Sequence, residues 1–112
     1  YGTIFVGSAK DPNNHSRNVC IFADGEVDRS PTGTGVSARA SIHYKRNEID
    51  LGETITIESI IGSTFSVKVD RELKYGKYDA IIPEINGEAY ITGRNTFWLN
   101  PDDPLKDGFI IK

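Results

Sequence analysis

Hydrophobic and polar residues alternate through most of the second half of the chain, as in β-strands with one buried face. Ile55 and Ile57 alternate with Thr54 and Thr56, and Phe65, Val67 and Val69 alternate with polar residues. Later strands are predicted at Tyr78, Ala80 and Ile82, at Ala89 and Ile91 after the hairpin-type pair Asn86-Gly87, at Phe97 and Leu99, and at Phe109 to Ile111. Short strands separated by Gly, Pro, Asn and Asp indicate a mainly antiparallel sheet.

The first half predicts two strands and one helix. Ile4 to Val6 and Asn18 to Ala23 are apolar runs, and Asp24-Gly25 is a turn signal after which Glu26-Val27 begins a partner strand. A helix is predicted from Val36 to about Arg46, with Val36, Ala40 and Tyr44 on one face. One helix with several antiparallel strands predicts the α+β class.

The segment from Asp28 to Gly35 separates the second apolar run from the helix. Glycine at 33 and 35 leaves backbone amides uncovered, and the first turn of a helix carries unpaired N–H groups and partial positive charge. Together these features suit a carboxylate or phosphate. An ordinary helix start, capped by Ser30 or Thr32, would use the same groups.

Asp28 precedes Thr32 by four residues. A carboxylate beside a cluster of N–H donors could bind a cation while the amides bind an anion, which is what an amino-acid zwitterion requires. The alternative is a solvated Asp28, or one paired with Arg29, an arrangement that contributes little stability.

Composition narrows the class of protein. A chain of 112 residues is one domain or part of one, and its net charge of −3 without a basic run does not suggest nucleic acid or an acidic membrane as partner. No apolar stretch approaches the roughly 20 residues that span a bilayer. The chain begins at Tyr1 without Met, so we expect a fragment or a processed piece.

Metal and cofactor chemistry is not expected. Cys20 is the single cysteine, which excludes an intrachain disulfide and a cysteine-cluster metal site. Its apolar neighbours predict a buried, inert thiol, and a reducing, cytoplasmic setting fits. His15 and His43 are not spaced as a metal pair, and His43 is expected to be packed or on the surface. The segment from Gly33 to Ala38 matches the dinucleotide fingerprint formally, but it does not come directly off a strand.

The segment Asp28-Arg29-Ser30-Pro31-Thr32-Gly33-Thr34-Gly35 resembles the second active-site motif of the proline racemase superfamily, which reads Asp-Arg-Ser-Pro-Cys-Gly-Thr-Gly in racemases and hydroxyproline epimerases. The resemblance extends over nearly all of the chain. It includes His15 to Val19 with Phe22 to Gly25, Ala89 to Gly93 with Phe97, and Asp103 to Leu105 with Gly108-Phe109.

The resemblance implies a diaminopimelate epimerase-like fold, in which a mainly antiparallel sheet wraps around one central helix. Residues 1–112 would then be the C-terminal lobe of a two-lobe enzyme, with the first catalytic cysteine in an absent N-terminal lobe. It also implies that the amides of Gly33, Thr34 and Gly35 hold a substrate carboxylate and that Asp28 binds the ring nitrogen. The strand around Phe109 would pack back onto the missing lobe.

Thr32 departs from the racemase pattern. Racemisation requires a base and an acid on opposite faces of the substrate, and a threonine hydroxyl is too weak a base to replace a thiolate. Threonine here, followed by Gly33-Thr34-Gly35-Val36, is similar to the branch of the family that dehydrates trans-3-hydroxy-L-proline to Δ1-pyrroline-2-carboxylate. Thr32 would hydrogen-bond the substrate or assist the leaving hydroxyl.

Two other functions stay open from the sequence. One is a racemase-like or epimerase-like protein that lacks one catalytic base, and the other is a non-catalytic amino-acid-binding module. On any catalytic interpretation the 112-residue chain alone is expected to be inactive and to self-associate through its exposed crevice. The expected partners are a small-molecule substrate such as hydroxyproline or proline, the N-terminal lobe and a second copy in a homodimer.

Overall fold

The structure, a computed structural model, describes residues 2–110, and these form one five-stranded sheet with one helix. The elements are β1 Gly2–Gly7, β2 Ser16–Phe22, α1 Gly33–Lys45, β3 Thr54–Glu58, β4 Thr64–Tyr75 and β5 Tyr78–Asn86. The strands lie in the order β1-β2-β3-β4-β5, and only the β2–β3 pair is parallel. The predicted α+β class with a mainly antiparallel sheet is confirmed.

The core lies between α1 and one face of the sheet. Its buried apolar residues are Val36, Ala40, Ile49, Ile55, Ile57, Val67 and Val69. The four strand residues among them are the alternating positions that the sequence pattern selects, because successive side chains of a strand point to opposite faces. Burying a side chain such as Ile57 completely contributes about 1.5–3 kcal/mol.

The stagger between β2 and β3 creates room for the segment that carries the motif. These strands pair only through Ser16 with Ile57 and Arg17 with Glu58, at the start of β2 and the end of β3. Farther along β2, the chain after the predicted turn at Gly25 takes the place of β3. There the Asp28 amide donates to the Cys20 carbonyl over 2.9 Å, and Val27 bridges Ile21.

The helix begins earlier than predicted, at Gly33 instead of Val36. The three small residues before Val36 are therefore the first helical turn, not a loop ahead of it. Glycine has low helix propensity, so a sequence pattern places the boundary late. The tertiary contacts around Thr32 override that propensity.

The strands predicted after Asn86 are wrong for the part of the chain that the structure describes. Residues 87–110 form no helix or strand, and Ile91, Phe97 and Trp98 are about nine-tenths exposed or more. The hairpin joining β4 and β5 turns at Gly76, and Asn86-Gly87 does not form another. Alternation shows that a segment suits a sheet, but a strand also needs a partner. The last residue of the predicted closing strand, Ile111, lies outside the described residues.

This exposed segment makes the described chain elongated. Its radius of gyration is 18.6 Å, whereas a compact domain of this length has one of about 13 Å. The apolar side chains from Tyr90 to Ile110 thus lack a core within residues 2–110. No helix among these residues has the length and hydropathy needed to cross a membrane.

Candidate active site

The turn before the helix is organised around the Asp28 carboxylate. Its Oδ1 accepts the Ser30 amide over 2.8 Å, and its Oδ2 accepts the Thr32 hydroxyl over 2.8 Å. The Ser30 hydroxyl accepts the Thr32 amide over 3.0 Å. Short polar side chains commonly hold turns in this way, by binding backbone groups two residues on. The structure thus brings Asp28 and Thr32 into direct contact, while Arg29 makes no ion pair with Asp28.

Asp28 is a stable anion in this setting. Burial alone would raise its pKa, but the hydrogen bonds from Ser30 and Thr32 and the charge of Arg29 outweigh burial and hold the pKa of Asp28 below its ordinary value. An ionised carboxylate can only accept hydrogen bonds, so Thr32 must be the donor. The hydroxyl proton of Thr32 therefore points at Asp28.

Thr32 occupies the N-cap position of α1 without capping it. Its φ of 66° and ψ of 98° lie outside the region that N-cap residues adopt, and its side chain makes no hydrogen bond to the helix. The alternative interpretation of this segment, an ordinary helix start capped by Ser30 or Thr32, is therefore not what the structure shows. Positive φ is rare for a β-branched residue and marks local strain.

The first-turn amides remain available as donors. Val36 makes the first helical hydrogen bond, donating to the Thr32 carbonyl over 2.8 Å. The amides of Gly33, Thr34 and Gly35 donate to no other residue within 2–110, and the first turn contains no acidic side chain. Three free amides at the positive end of a helix suit an anion. A methyl group added at Gly33 would meet open space, whereas one at Gly35 would lie 2.3 Å from Ile4 Cδ1.

A buried polar network supports the turn from below. The Asn18 side-chain amide donates to the Pro31 carbonyl over 2.9 Å, and Asn18 Oδ1 accepts Arg39 Nη1 over 3.0 Å. Arg39 Nη2 also donates to Ser16 Oγ over 2.6 Å. Sequence reasoning did not find this network. Its available signal was Arg39 at helical spacing between Val36 and His43, on the stripe that faces the sheet.

The two histidines lie in this network and not at the turn. Their rings meet edge to face with centroids 4.8 Å apart, and His43 Nδ1 pairs with Glu48. Burial, followed by the charges of His43 and Arg39, lowers the pKa of His15. His43 is packed, as predicted. In the part of the chain that the structure describes, no three His, Cys, Asp or Glu side chains converge as metal ligands would, and Cys20 is buried.

Fold and turn together describe an α+β lobe that presents a carboxylate and a free helix N-terminus side by side, an arrangement suited to the ammonium and carboxylate groups of an amino acid. The proline racemase family profile matches residues 1–110. The chain belongs to the proline racemase family.

Relatives with different named activities resemble the chain. It is 51% identical over its full length to trans-3-hydroxy-L-proline dehydratase of Colwellia psychrerythraea, covering 32% of that protein. It is 50% identical over 90% of its length to proline racemase of Acetoanaerobium sticklandii, covering 30% of it. The chain spans about a third of the length of these curated relatives and corresponds to their C-terminal portion.

A solved structure shows the same fold. The hydroxyproline epimerase from Agrobacterium vitis, crystallised with bound trans-4-hydroxy-L-proline, superposes with a TM-score of 0.78 at 33% identity, over 98% of this chain and 31% of that one. The similarity covers nearly all described elements, so the sheet and helix are those of the family.

Proposed function

We propose that this chain is the C-terminal lobe of an enzyme that dehydrates trans-3-hydroxy-L-proline to Δ1-pyrroline-2-carboxylate. The observation that carries the proposal is Thr32, which stands where the family's racemases and epimerases have their second catalytic cysteine. Overall identity does not separate the two activities, because the dehydratase and the racemase are similar at 51% and 50%. Residue 32 does separate them, since it decides whether a second base is present.

The proposed elimination needs only one strong base. A base removes the α-proton of the substrate, the C3–O bond breaks, and the departing hydroxide takes up a proton and leaves as water. The resulting cyclic enamine tautomerises to the imine, Δ1-pyrroline-2-carboxylate. By the family resemblance, the base is the cysteine of the N-terminal lobe, which lies outside this chain.

This lobe would bind the substrate and orient it. The free amides of Gly33, Thr34 and Gly35 would hold the carboxylate and stabilise the negative charge that develops as the α-proton leaves. Asp28, an anion at neutral pH, would attract the ring ammonium group. Each Asp28 oxygen accepts one hydrogen bond from the turn and has capacity for another.

Thr32 would act as a hydrogen-bonding group instead of a base. Its proton is directed at Asp28, whose lowered pKa makes it a poor proton acceptor. Its oxygen keeps lone pairs that can accept a hydrogen bond from the substrate. This geometry supports an elimination that uses one base over a racemisation or epimerisation that needs two.

The exposed segment at residues 87–110 would pack against the N-terminal lobe. Its aromatic and aliphatic side chains lack a core in the described part of this chain, and burying them would contribute roughly 25 cal/mol per Å² of apolar surface removed from water.

A homodimer is the proposed assembly. A cytoplasmic location is proposed on the basis of the single thiol, Cys20.

The test uses the full-length protein incubated in deuterated water and followed by proton NMR. With trans-3-hydroxy-L-proline we expect loss of the C3 hydroxymethine signal and appearance of the pyrroline carboxylate. trans-4-Hydroxy-L-proline is the control, because its hydroxyl is not β to the acidic carbon and cannot leave by this elimination. Deuterium at the α-carbon without loss of water would identify a protein with one base that only exchanges the proton. Binding without any turnover would identify a binding module.

The variant Thr32→Cys tests the role of residue 32 directly. A thiol there would supply the second base on the opposite face, so we expect epimerisation of trans-4-hydroxy-L-proline at the α-carbon to appear. Thr32→Ser is the matched control, since it keeps a hydroxyl and should not create this activity. A Thr32→Cys protein that dehydrates as before and epimerises nothing would contradict the assignment.

A further inference from the structure

Arg39 is the buried charge of the polar network beneath the active-site turn. It is 8% exposed, and its guanidinium forms no ion pair with any carboxylate among residues 2–110. Burial lowers the pKa of Arg39, yet a guanidinium stays protonated at neutral pH. A buried cation without a paired anion is costly to the folded state. Its position indicates what it contributes in return.

The hydrogen-bond partners of Arg39 are neutral. Its guanidinium donates to Asn18 Oδ1 over 3.0 Å and to Ser16 Oγ over 2.6 Å. It also lies 3.4 Å from His43 Nε2, which must be the acceptor because a guanidinium only donates. The other ring nitrogen, Nδ1, then carries the proton and donates to Glu48 over 2.5 Å. Glu48, whose side chain is 45% exposed, thus meets Arg39 only through an uncharged imidazole.

The geometry places this guanidinium beside the first turn of α1. Arg39 follows Gly33 by six residues, about 9 Å along the helix axis, and helical side chains lean toward the N-terminus. Asn18 Nδ2 donates to the Pro31 carbonyl over 2.9 Å, so Arg39 Nη1 is about 8 Å at most from that oxygen. The charge therefore lies on the order of 10 Å from the amides that begin the helix.

The charges of the network are ordered along the helix. Glu48 follows the last helical residue, Lys45, whereas Arg39 reaches toward the first turn through its hydrogen-bonded partner. Positive charge is thus nearer the helix N-terminus than negative charge, in the same sense as the helix dipole. Both effects make the electrostatic potential at the amides of Gly33 to Gly35 more positive.

The proposed elimination moves negative charge toward this cation. trans-3-Hydroxy-L-proline binds as a zwitterion of net charge zero, so a cation at this distance changes its binding little. When the cysteine of the other lobe takes the α-proton, negative charge passes from the thiolate to the substrate and spreads onto the carboxylate. An interaction that strengthens only as this charge arrives raises kcat and leaves KM nearly unchanged.

We propose that the buried, unpaired charge of Arg39 gives the first turn of α1 part of its affinity for anions and stabilises the negative charge that forms on the substrate carboxylate. Arg39 is a positioning residue and not a catalytic one, since it acts across the turn. The inference rests on the proposed function for the identity of the substrate. The affinity of the turn for anions can be measured without turnover.

The test neutralises the charge without removing Arg39. Ser16 Oγ bonds to Arg39 and to His15 but to no residue of the turn, so Ser16→Asp places a carboxylate against the guanidinium and leaves the Asn18–Pro31 bond in place. Ser16→Asn is the matched control, because asparagine has the same shape without the charge. Measurement at pH 8 keeps His15 neutral, since burial already lowers its pKa.

Three ligands of similar shape and different charge report the potential at the turn. They are the anion (S)-tetrahydrofuran-2-carboxylate, the zwitterion L-proline and the cation L-prolinamide, and their binding to the full-length protein is followed by ligand-observed NMR. A unit charge about 10 Å away changes Kd about twofold at the dielectric constant of water and about seventeenfold at an effective value of 20.

Between these limits, we expect Ser16→Asp to raise the Kd of the anion about three- to tenfold over Ser16→Asn. The Kd of L-proline should stay within about twofold, and that of L-prolinamide should be unchanged or lower. For dehydration by the same proteins, kcat should fall about two- to fivefold while KM changes less than about twofold. An unchanged kcat would overturn the part of the proposal that concerns the transition state.

Equal shifts of Kd for the three ligands would show that residue 16 acts only through general structure and would overturn the proposal. No shift for the anion, or its failure to bind the wild-type protein at millimolar concentrations, would do the same. A Ser16→Asp protein that unfolds while Ser16→Asn folds would also contradict it, because an unpaired cation should accept the carboxylate.

Arg39→Gln gives a second route if residue 16 tolerates no larger side chain. It removes the charge at its source and should produce the same order of effects on the three ligands, whereas equal weakening of all three would refute the proposal. Failure of the proposed function alone would appear as absent dehydration together with ligand shifts that still follow charge.

Discussion

A methyl group added at Gly35 is predicted to destabilise the protein because it would conflict with one atom of Ile4. A Cβ at this position would lie 2.3 Å from Ile4 Cδ1, far inside contact distance, so the Ile4 side chain must move. A Cβ at Gly33, two residues earlier in the same turn, would meet nothing within 4 Å. The two glycines are therefore a matched pair for the same substitution.

The magnitudes follow from the two environments. Overpacking typically costs about 1–3 kcal/mol, while replacing glycine by alanine at an unstrained helical position gains about 0.4–1 kcal/mol. The difference of these terms is about 0–2.6 kcal/mol. Because Ile4 Cδ1 is the far end of a flexible side chain, we expect Gly35→Ala to lower the free energy of unfolding by about 1 kcal/mol, in the lower half of that range. Gly33→Ala, with only the gain, should leave the free energy of unfolding unchanged or slightly raised.

A rescue variant isolates the cause. Ile4→Val removes Cδ1, the atom in conflict, and Ile4 is only partly buried, so its own cost should lie near the low end of about 0.5–1.5 kcal/mol. In the Gly35→Ala background the same change should restore stability. The assay is urea unfolding of the full-length protein and its five variants: the three single substitutions, Gly35→Ala with Ile4→Val, and Gly33→Ala with Ile4→Val.

Additive losses of stability in the double variant would refute this explanation. If Gly35→Ala with Ile4→Val loses the sum of the two single losses, the conflict at Ile4 is not the cause. The same conclusion would follow if Gly33→Ala were as damaging as Gly35→Ala.

Three further predictions follow from other contacts. The side-chain amide of Asn14 and the backbone amides of Lys10 and Asp11 donate hydrogen bonds to the Glu58 carboxylate and lower its pKa to about 2. Because the pKa of Glu58 is depressed in the folded state, its stabilising effect should be full above about pH 4.5 and fade toward pH 2. Thermal unfolding of Glu58→Gln should therefore match wild type most closely at the acid end. Gly87→Ala should lower the melting temperature, because its Cβ would lie 2.4 Å from the Phe65 ring, and adding Phe65→Leu should remove this conflict. Equal melting temperatures of the Gly87→Ala protein with and without Phe65→Leu would count against the contact. The 112-residue chain alone should show no dehydration and should self-associate in sedimentation; turnover, or a clean monomer, would argue against the missing lobe.

The sheet was predictable where strands pair with neighbours in this chain. Ile55, Ile57, Val67 and Val69 alternate in sequence and are all buried, because period two places them on one face. The segment holding Ile91 and Phe97 shows similar alternation without forming strands among the described residues. Periodicity reports which face of a segment is apolar, and it carries no information on whether a partner strand is present.

The candidate site was predictable in its composition but not in its conformation. The spacing of Asp28 and Thr32 and the glycines that follow identify the turn. The positive φ of Thr32 does not follow from local sequence, since threonine disfavours it. Nor does local sequence reveal its neighbours: Asn18, which donates to the Pro31 carbonyl, lies 14 residues before Thr32, and Arg39, which donates to Asn18, lies 7 residues after it, so only the fold brings these groups together.

Apart from the bond between the Thr32 hydroxyl and Asp28, the side-chain bonds that hold this turn run to backbone atoms of residues 30, 31 and 32. Because most of these hydrogen bonds bind the main chain, the side chain at position 32 can be replaced without losing them. One codon change can then replace a hydroxyl by a thiol without rebuilding the loop. A single ancestral lobe could in this way give rise to enzymes of different reaction type, by natural selection or by laboratory evolution at position 32.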